Sequence, residues 1–480
     1  MSTSTTSTSV LSSSAQAGAP PGRLRSGIVL VTLLTCQLMI VLDITVMNVA
    51  LPRIQHDLHF SATGLSWVMN AYTLVFGGLL LLGGRAGDLF GRRRLFILGT
   101  VLFTLASLGG GLAPSAAWLI VARIVQGLGG AMAGPNTLAL LTTTFADPKM
   151  RVRVLALFSG MSSAGFAIGL ILGGLLTQWL SWRSVLFINV PFGLVVALLA
   201  VRYLPDAPRR RAHLDLPGAV TATGAVAALV YGFISAAAHG WDDVTTDVSL
   251  TVGVVALVAF LLVERRAVQP LLPLHLFADR NRAAAYANMF LGPMAGTSMF
   301  FFLTQYLQEV RGMSALATGF AFLPTAVTMF TMIRLIPRLL PRFGPKPVTL
   351  VGTAAMIAGL VLLTLLDTDT GYFPLLAVAT VLMGCGIGLA FSPLNVIIMA
   401  NVAPEEAGAA GGALQTLQQT GAALGLAVLV TVFGTAVRAA SGSAVHVLVS
   451  GITTAFAAAA GIAVLTLLVA STFRSVRAQR

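Results

Sequence analysis

The chain has 480 residues, of which 56% are hydrophobic and only 9% charged, with a mean hydropathy of +0.89. Soluble domains carry about 25% charged residues, so this composition excludes an ordinary water-facing surface and makes lipid the solvent. The net charge of +13 lies in short runs between apolar stretches, which is the pattern of membrane topology and not of nucleic-acid binding.

A membrane-crossing helix needs about 20 mainly apolar residues. On that rule the sequence predicts fourteen spans, near 27–51, 63–83, 95–113, 116–142, 153–177, 184–204, 216–238, 248–263, 284–308, 315–333, 348–366, 373–399, 407–436 and 448–470. The expected fold is therefore an all-α integral membrane protein. Residues 1–26 are a Ser/Thr-rich tail, read as disordered and cytoplasmic. The apolar run behind them is too long for the core of a signal peptide and leads into a hydrophobic array.

In the first span Asp43 sits within LDITVMNVALP at 42–52, with Asn48 close by. A carboxylate at such depth costs roughly 2.5–3.5 kcal/mol on insertion scales and is a functional candidate by default, able to take up and release protons. His56 and His59 follow in what reads as a solvated outer loop. The second span carries Asn70, and GGRAGDLFGRRR at 83–94 reads as a glycine-punctuated inner loop. Asp88 can bond a helix N-terminus or an arginine, and Arg92, Arg93 and Arg94 face anionic lipid and neighbouring carboxylates, so the stretch reads as a basic topology anchor whose spacing also favours a gate.

The fourth span holds Arg123 in LIVARIVQGLGGA, with Gln126 and, further on, Asn136. Asp43 lies nine residues before Pro52, or about 13 Å from the outer end of its span. Arg123 lies seven residues into its own span, or about 10 Å from the same side, so a pairing of the two is geometrically open. Gly165, Gly169, Gly173 and Gly174 give the fifth span small residues for close helix approach. Gln305 in the ninth span is a polar candidate for a substrate cavity. So are Gln415 and Gln419 on one face of the thirteenth span, beside Gln418. Asn48, Asn70, Gln126 and Asn136 join them as cavity candidates.

With the N-terminus inside, 24 of the 29 basic residues fall on the inner side. Arg53, Arg183, Arg311 and Arg438 fall outside and Arg123 stays within a span. Omitting the eighth span would put the last three arginines outside, so the sorting favours the even count, with both termini cytoplasmic. Three echoes indicate a duplication. FGRRRLFILG at 90–99 matches FGPKPVTLVG at 343–352, GPN at 134–136 matches SPLN at 392–395, and AGFAIGL at 164–170 matches TGAALGL at 420–426. They divide the chain into a six-helix bundle at 27–204, two inserted helices with linkers at 205–283, a second six-helix bundle at 284–470 and a cytoplasmic tail at 471–480. Parallel six-helix repeats are a transporter architecture, with the substrate bound near midplane between them.

No phosphate-cradling glycine loop and no nucleophile–base constellation can be recognised, so neither ATP nor catalysis is expected. The histidines and the apolar-buried Cys36 and Cys385 suggest neither a metal site nor a disulfide framework. The arginine-, alanine- and glycine-rich composition points to a bacterial genome.

The inner-loop stretch GGRAGDLFGRRR resembles the signature of the major facilitator superfamily. LDITVMNVALP, RIVQGLGGA and the glycines of the fifth span resemble motifs of its drug:proton antiporters. The span count, QPLLPLHLFADRNR at 269–282 and YLQEVRGMSALATGFAFLP at 306–324 resemble the fourteen-spanner EmrB/QacA-type branch. The resemblance implies a proton-driven exporter of small amphipathic organic molecules in a bacterial inner membrane, working as a monomer, with no cofactor and no enzymatic activity. Asp43 would handle the proton, Arg123 with Gln126 and Gly127 would couple it, and Gly84, Asp88, Gly91 and Arg92 would form the inner gate. One departure is Leu170, which stands where antiporters carry proline after Gly169; Ala86 replaces the family's usual leucine. Leu170 keeps open a dedicated metabolite exporter or a nutrient importer of the same superfamily. A membrane sensor is a third reading, which the lack of a sizeable soluble domain disfavours.

Overall fold

In the computed structural model the described residues are 23–473, save 146, 207–214, 268–269, 271, 273, 401 and 403–405. The predicted tails at 1–26 and 471–480 thus lie largely outside them. Among the described residues there is no strand. A helix stands at each of the fourteen predicted places: α1 Arg23–Leu58, α2 Ser66–Phe90, α3 Arg92–Gly111, α4 Ala116–Thr144, α5 Pro148–Trp179, α6 Ser184–Tyr203, α7 Leu216–His239, α8 Val244–Arg266, α9 Arg280–Gln305, α10 Ala315–Phe343, α11 Pro345–Leu363, α12 Tyr372–Met399, α13 Ala407–Ala439 and α14 Ala444–Ser471. Twelve are long and apolar enough to cross a membrane. The exceptions are α5, whose described apolar part is Ala164–Trp179, and the 26-residue α9, which is more polar.

Half of the fourteen helix starts are written in short polar residues. Ser115, Asp147, Asp215, Asp243, Asp279, Ser314 and Ser443 each accept a backbone N–H from the first turn of the helix they precede. Four of the 16 acidic residues are thereby spent on helix caps. Asp43 is not.

The stretch 83–94 departs from its expectation. It is no loop: α2 stays helical to Phe90, and the turn into α3 is made by Gly91 alone, at φ +106°. Gly344, at φ +77°, makes the same one-residue turn between α10 and α11. These two glycines are the central residues of the paired FGR and FGP echoes. Glycine enters this backbone region without a Cβ clash, which is why both copies keep it. The predicted outer loop after the first span also starts later, since His56 lies in the last turn of α1.

Helices α1 to α6 pack on one another, α3 against α4, α2 against α4 and α1 against α5. Helices α9 to α14 do likewise, α11 against α12, α10 against α12 and α9 against α13. Two seams join the sets, α2 with α13 and α5 with α10. Helix α7 lies over the first seam and touches both α2 and α13, while α8 packs on α7 and turns Val248, Val252, Val255 and Leu262 outward. The apolar core is distributed unevenly. At the Leu58 end one cluster runs through both sets, from Val46 and Leu51 to Met299, Leu303 and Phe456. Toward the Arg23 end the sets have separate clusters, one around Leu33 and Phe96 and the other around Tyr286 and Ile398.

Candidate proton-coupling site

Asp43 is fully buried in α1, and its carboxylate is met from two other helices. Arg123 of α4 donates from Nη1 to Oδ2 at 2.6 Å, both side chains being closed to solvent. Gln126, one turn on, donates from Nε2 to Oδ1 at 2.6 Å. Asn189 of α6 donates from Nδ2 to the same Oδ1 at 3.0 Å. The cation is itself held. Arg123 donates from Nε to the Val68 carbonyl at 3.0 Å and from Nη1 to Gln126 Oε1 at 2.8 Å. Its guanidinium carbon stands 4.3 Å from the centre of the Tyr72 ring. Gln126 Nε2 also donates to Ser107 Oγ of α3 at 2.9 Å.

Local sequence explains how these groups arrive. Arg123 and Gln126 are three apart on α4 and therefore share a face. Small residues bring the neighbouring helices close. A Cβ on Gly127 would lie 2.7 Å from the Tyr72 carbonyl oxygen, so α4 rests on α2 just where Val68 and Tyr72 meet the guanidinium. In α6, Pro191 has no N–H for the Phe187 carbonyl, so one helical hydrogen bond is missing beside Asn189, although the backbone at Ile188 stays helical at φ −59°, ψ −31°. A Cβ on Gly193 would lie 1.9 Å from Thr104 Oγ1, so α6 is pressed onto α3 one turn below Asn189.

The arrangement suits a charged carboxylate: three N–H donors face it, and the one cation beside it balances its charge. Removing water raises the cost of any unpaired charge, so the pair and its amides hold together or separate together.

The structure thus brings together Asp43, Arg123 and Gln126 of the predicted residues. Asn189, Tyr72 and Ser107 escaped the sequence reading. Pro191 two residues on marks the helix near Asn189, but not the face that Asn189 presents. The other polar candidates lie apart from this cluster. Asn48 is half-buried and donates to the Ile44 carbonyl of its own helix at 3.0 Å. Asn70 and Gln305 are buried on α2 and at the end of α9. Asn136 closes the α2–α4 contact, donating to the Gly83 and Met132 carbonyls at 3.1 and 2.8 Å. Gln415 and Gln419 are half-buried on α13; the Gln419 Cβ would be 2.4 Å from a Cβ on Gly77, and Thr416 donates to the Gly77 carbonyl. That face of α13 therefore lies in the seam with α2. An apolar hollow of about 500 Å³ between α10 and the start of α12, lined by Phe320, Pro324 and Tyr372, shares no residue with the cluster.

At the gate candidates, Arg92 pairs with Asp88 at 2.8 Å across one turn, spanning the Gly91 break. Gly84 faces Pro135 of α4, and Gly87 leaves room for Asn136. Arg85 donates to the Pro270 carbonyl at 3.0 Å, tying the α2 end to the linker before α9. On α5, Gly165, Gly169 and Gly173 admit Leu38, Thr45 and Val46 of α1, while Gly174 admits Ala315 and Leu316 of α10. Helix α5 runs unbroken through Leu170.

The family profile described as Major Facilitator Superfamily matches residues 33–426. A puromycin resistance protein of Streptomyces alboniger is 45% identical over 408 residues, covering 84% of this chain and 81% of that protein. A cephamycin export protein of Amycolatopsis lactamdurans is 41% identical over 411 residues, covering 85% of each chain. Among solved structures, a bacterial homolog of the human lysosomal transporter Spinster aligns with TM-score 0.65 at 16% identity. That alignment covers 93% of this chain and 96% of the other.

Proposed function

This chain belongs to the major facilitator superfamily, and we propose that it exports small amphipathic organic antibiotics from a bacterial cell in exchange for protons, with Asp43 as the proton-carrying group. The observation that carries this reading is a buried carboxylate, arginine and two amides brought together from three helices, with no enzymatic motif beside them. The resistance and export roles in the relatives' names support the substrate class and the outward direction. We read α5 and α9 as crossing too, which gives fourteen spans and puts both termini in the cytoplasm, as the basic residues favour. The transporter then works as a monomer by alternating access, with the proton gradient as its only energy source. In that orientation the shared core at the Leu58 end closes the path to the outside.

The buried ion pair supports the following cycle. A proton entering from outside neutralises Asp43, Arg123 loses its partner, and the helices that carried the pair are free to shift. Return of the proton to the cytoplasm restores the pair. The test is the purified protein in liposomes under an imposed pH gradient, with puromycin and a panel of fluorescent cationic and neutral drugs. Gradient-driven movement should occur in the wild type and vanish in Asp43→Asn with folding intact. Normal gradient-driven export by Asp43→Asn would sink the proposal. Movement of one panel compound alone would favour a dedicated exporter, a reading that the single-compound names of the relatives support.

A further inference from the structure

The two amides on Asp43 are not equivalent. Gln126 is engaged at both ends: its Oε1 accepts from Arg123 and its Nε2 donates to Asp43 and Ser107. Turning that amide over would break three contacts at once. Asn189, among the described residues, makes one side-chain hydrogen bond, from Nδ2 to Asp43 Oδ1. Its terminal amide has nearly the same shape either way round, with an acceptor at one corner and donors at the other. Its backbone, by contrast, is fixed, by the helical turn at Ile188 above and the contact of Gly193 with Thr104 below.

A carboxylate wants donors, and a protonated carboxyl needs one acceptor for its own O–H. The cluster as it stands offers Asp43 donors only. We propose that Asn189 is the positioning residue that lets Asp43 change protonation state in place. It donates from Nδ2 to the carboxylate and, turned over, accepts the carboxyl proton at Oδ1. This inference rests on the reading of Asp43 as the proton carrier.

The other titratable and charged groups around Asp43 are few. Arg123 faces it from α4, and Tyr72 comes from α2 with its ring against Arg123. On α1 itself Cys36 lies two turns away, bonded to Thr100 and Thr137. The basic residues of α5, Lys149, Arg151 and Arg153, lie in its first two turns, and those of α9, Arg280 and Arg282, in its first turn. His56 and Glu309 pair with each other beyond the outer turns. Helices α3 and α6 present Ser107 and Asn189, which do not titrate. A change at Asn189 is therefore read through Asp43 and not through a second ionising group.

The test is infrared difference spectroscopy of the full-length protein in lipid, titrated with acid. The protonated-carboxyl signal that Asp43→Asn removes is assigned to Asp43. Asn189→Leu keeps the forked shape but supplies neither donor nor acceptor. Hydrogen bonds to charged groups exceed those to neutral ones, so the charged form loses more, and the signal should appear about one pH unit higher than in wild type. Asn189→Gln restores both a donor and an acceptor without adding a charge, and the signal should return toward the wild-type midpoint. An Asp43 signal with the same midpoint in wild type and in both folded variants would overturn the role of Asn189 and leave proton coupling through Asp43 standing. Absence of any Asp43 signal across the titration in wild type would overturn both.

Discussion

Asp43 and Arg123 lie 80 residues apart in the chain and meet at 2.6 Å with no solvent contact. Breaking such a pair from one side leaves a buried charge without compensation, at a cost of about 3–5 kcal/mol, whereas removing both charges costs much less. Arg123→Leu should therefore lower the thermal unfolding midpoint of the detergent-purified protein strongly. The double variant Asp43→Asn with Arg123→Leu should recover a clear part of that loss. Equal midpoints for the single and double variants would mean that the pair is not the strained element. The pairing was legible in the sequence because only these two charges stood deep in spans, at matching depth. Gln126 followed from its spacing to Arg123. Asn189 was not legible, since an asparagine near a span end looks like any helix-start residue until the fold shows which face it presents. The remaining amides illustrate the same limit: Asn136 and Gln419 are polar groups in spans, yet the fold spends them on helix seams.

Helix boundaries were less legible than helices. The stretch 83–94 looked like a loop because it is rich in charge and glycine, but its side chains find partners that allow the helix to continue. Asp88 pairs with Arg92, Arg85 reaches the Pro270 carbonyl, and Gly83 and Gly87 let Asn136 of α4 approach. Two sequence motifs that seemed unrelated, GGRAGD and GPN, are the two sides of one helix contact. The whole turn then falls on Gly91, at φ +106°. An L-residue there is strained by roughly 1–3 kcal/mol, so Gly91→Ala should lower the unfolding midpoint, and Gly344→Ala should do the same at the duplicate turn. Gly461 is the control. It lies in the middle of α14 with nothing within 4 Å of a built Cβ, so Gly461→Ala should be neutral or slightly stabilising. Loss of stability in all three alike would remove the backbone explanation. Helix α5 shows a different kind of agreement. Its glycines were read as packing residues, and they admit α1 on one side and α10 on the other, while Leu170, in place of a proline, leaves the helix straight through.

The uneven core gives the molecule a direction. At the Leu58 end a single apolar cluster binds both helix sets, and at the Arg23 end each set has its own. Polar contacts follow the same asymmetry. Gln308 Nε2 donates to the Val49 carbonyl at 2.9 Å, and His56 meets Glu309 at 3.1 Å, linking the end of α1 to the turn after α9. The His56–Glu309 pair is largely exposed and contributes little stability by itself. What matters is its place, across the seam that the proposed rocking of one set against the other would open. Two bundles meet along α2–α13 and α5–α10, with α7 laid over the first seam, and these are the contacts such a rocking would work through. The charges, however, are not duplicated. Gly296 stands in α9 at the offset that corresponds to Asp43, so the first set carries the ion pair and the second does not. On the proposed function, proton exchange in the first set acts on the second through the contacts at the Leu58 end. If so, fixing those contacts should stop transport without disturbing the ion pair. In a background with Cys36 and Cys385 replaced by serine, His56→Cys and Glu309→Cys joined by a short bifunctional thiol reagent should abolish gradient-driven drug movement. Either cysteine alone, treated with the same reagent, should leave transport near the level of the background. Full transport by the bridged protein would show that this end does not open, and that alternation, if it occurs, works through another seam.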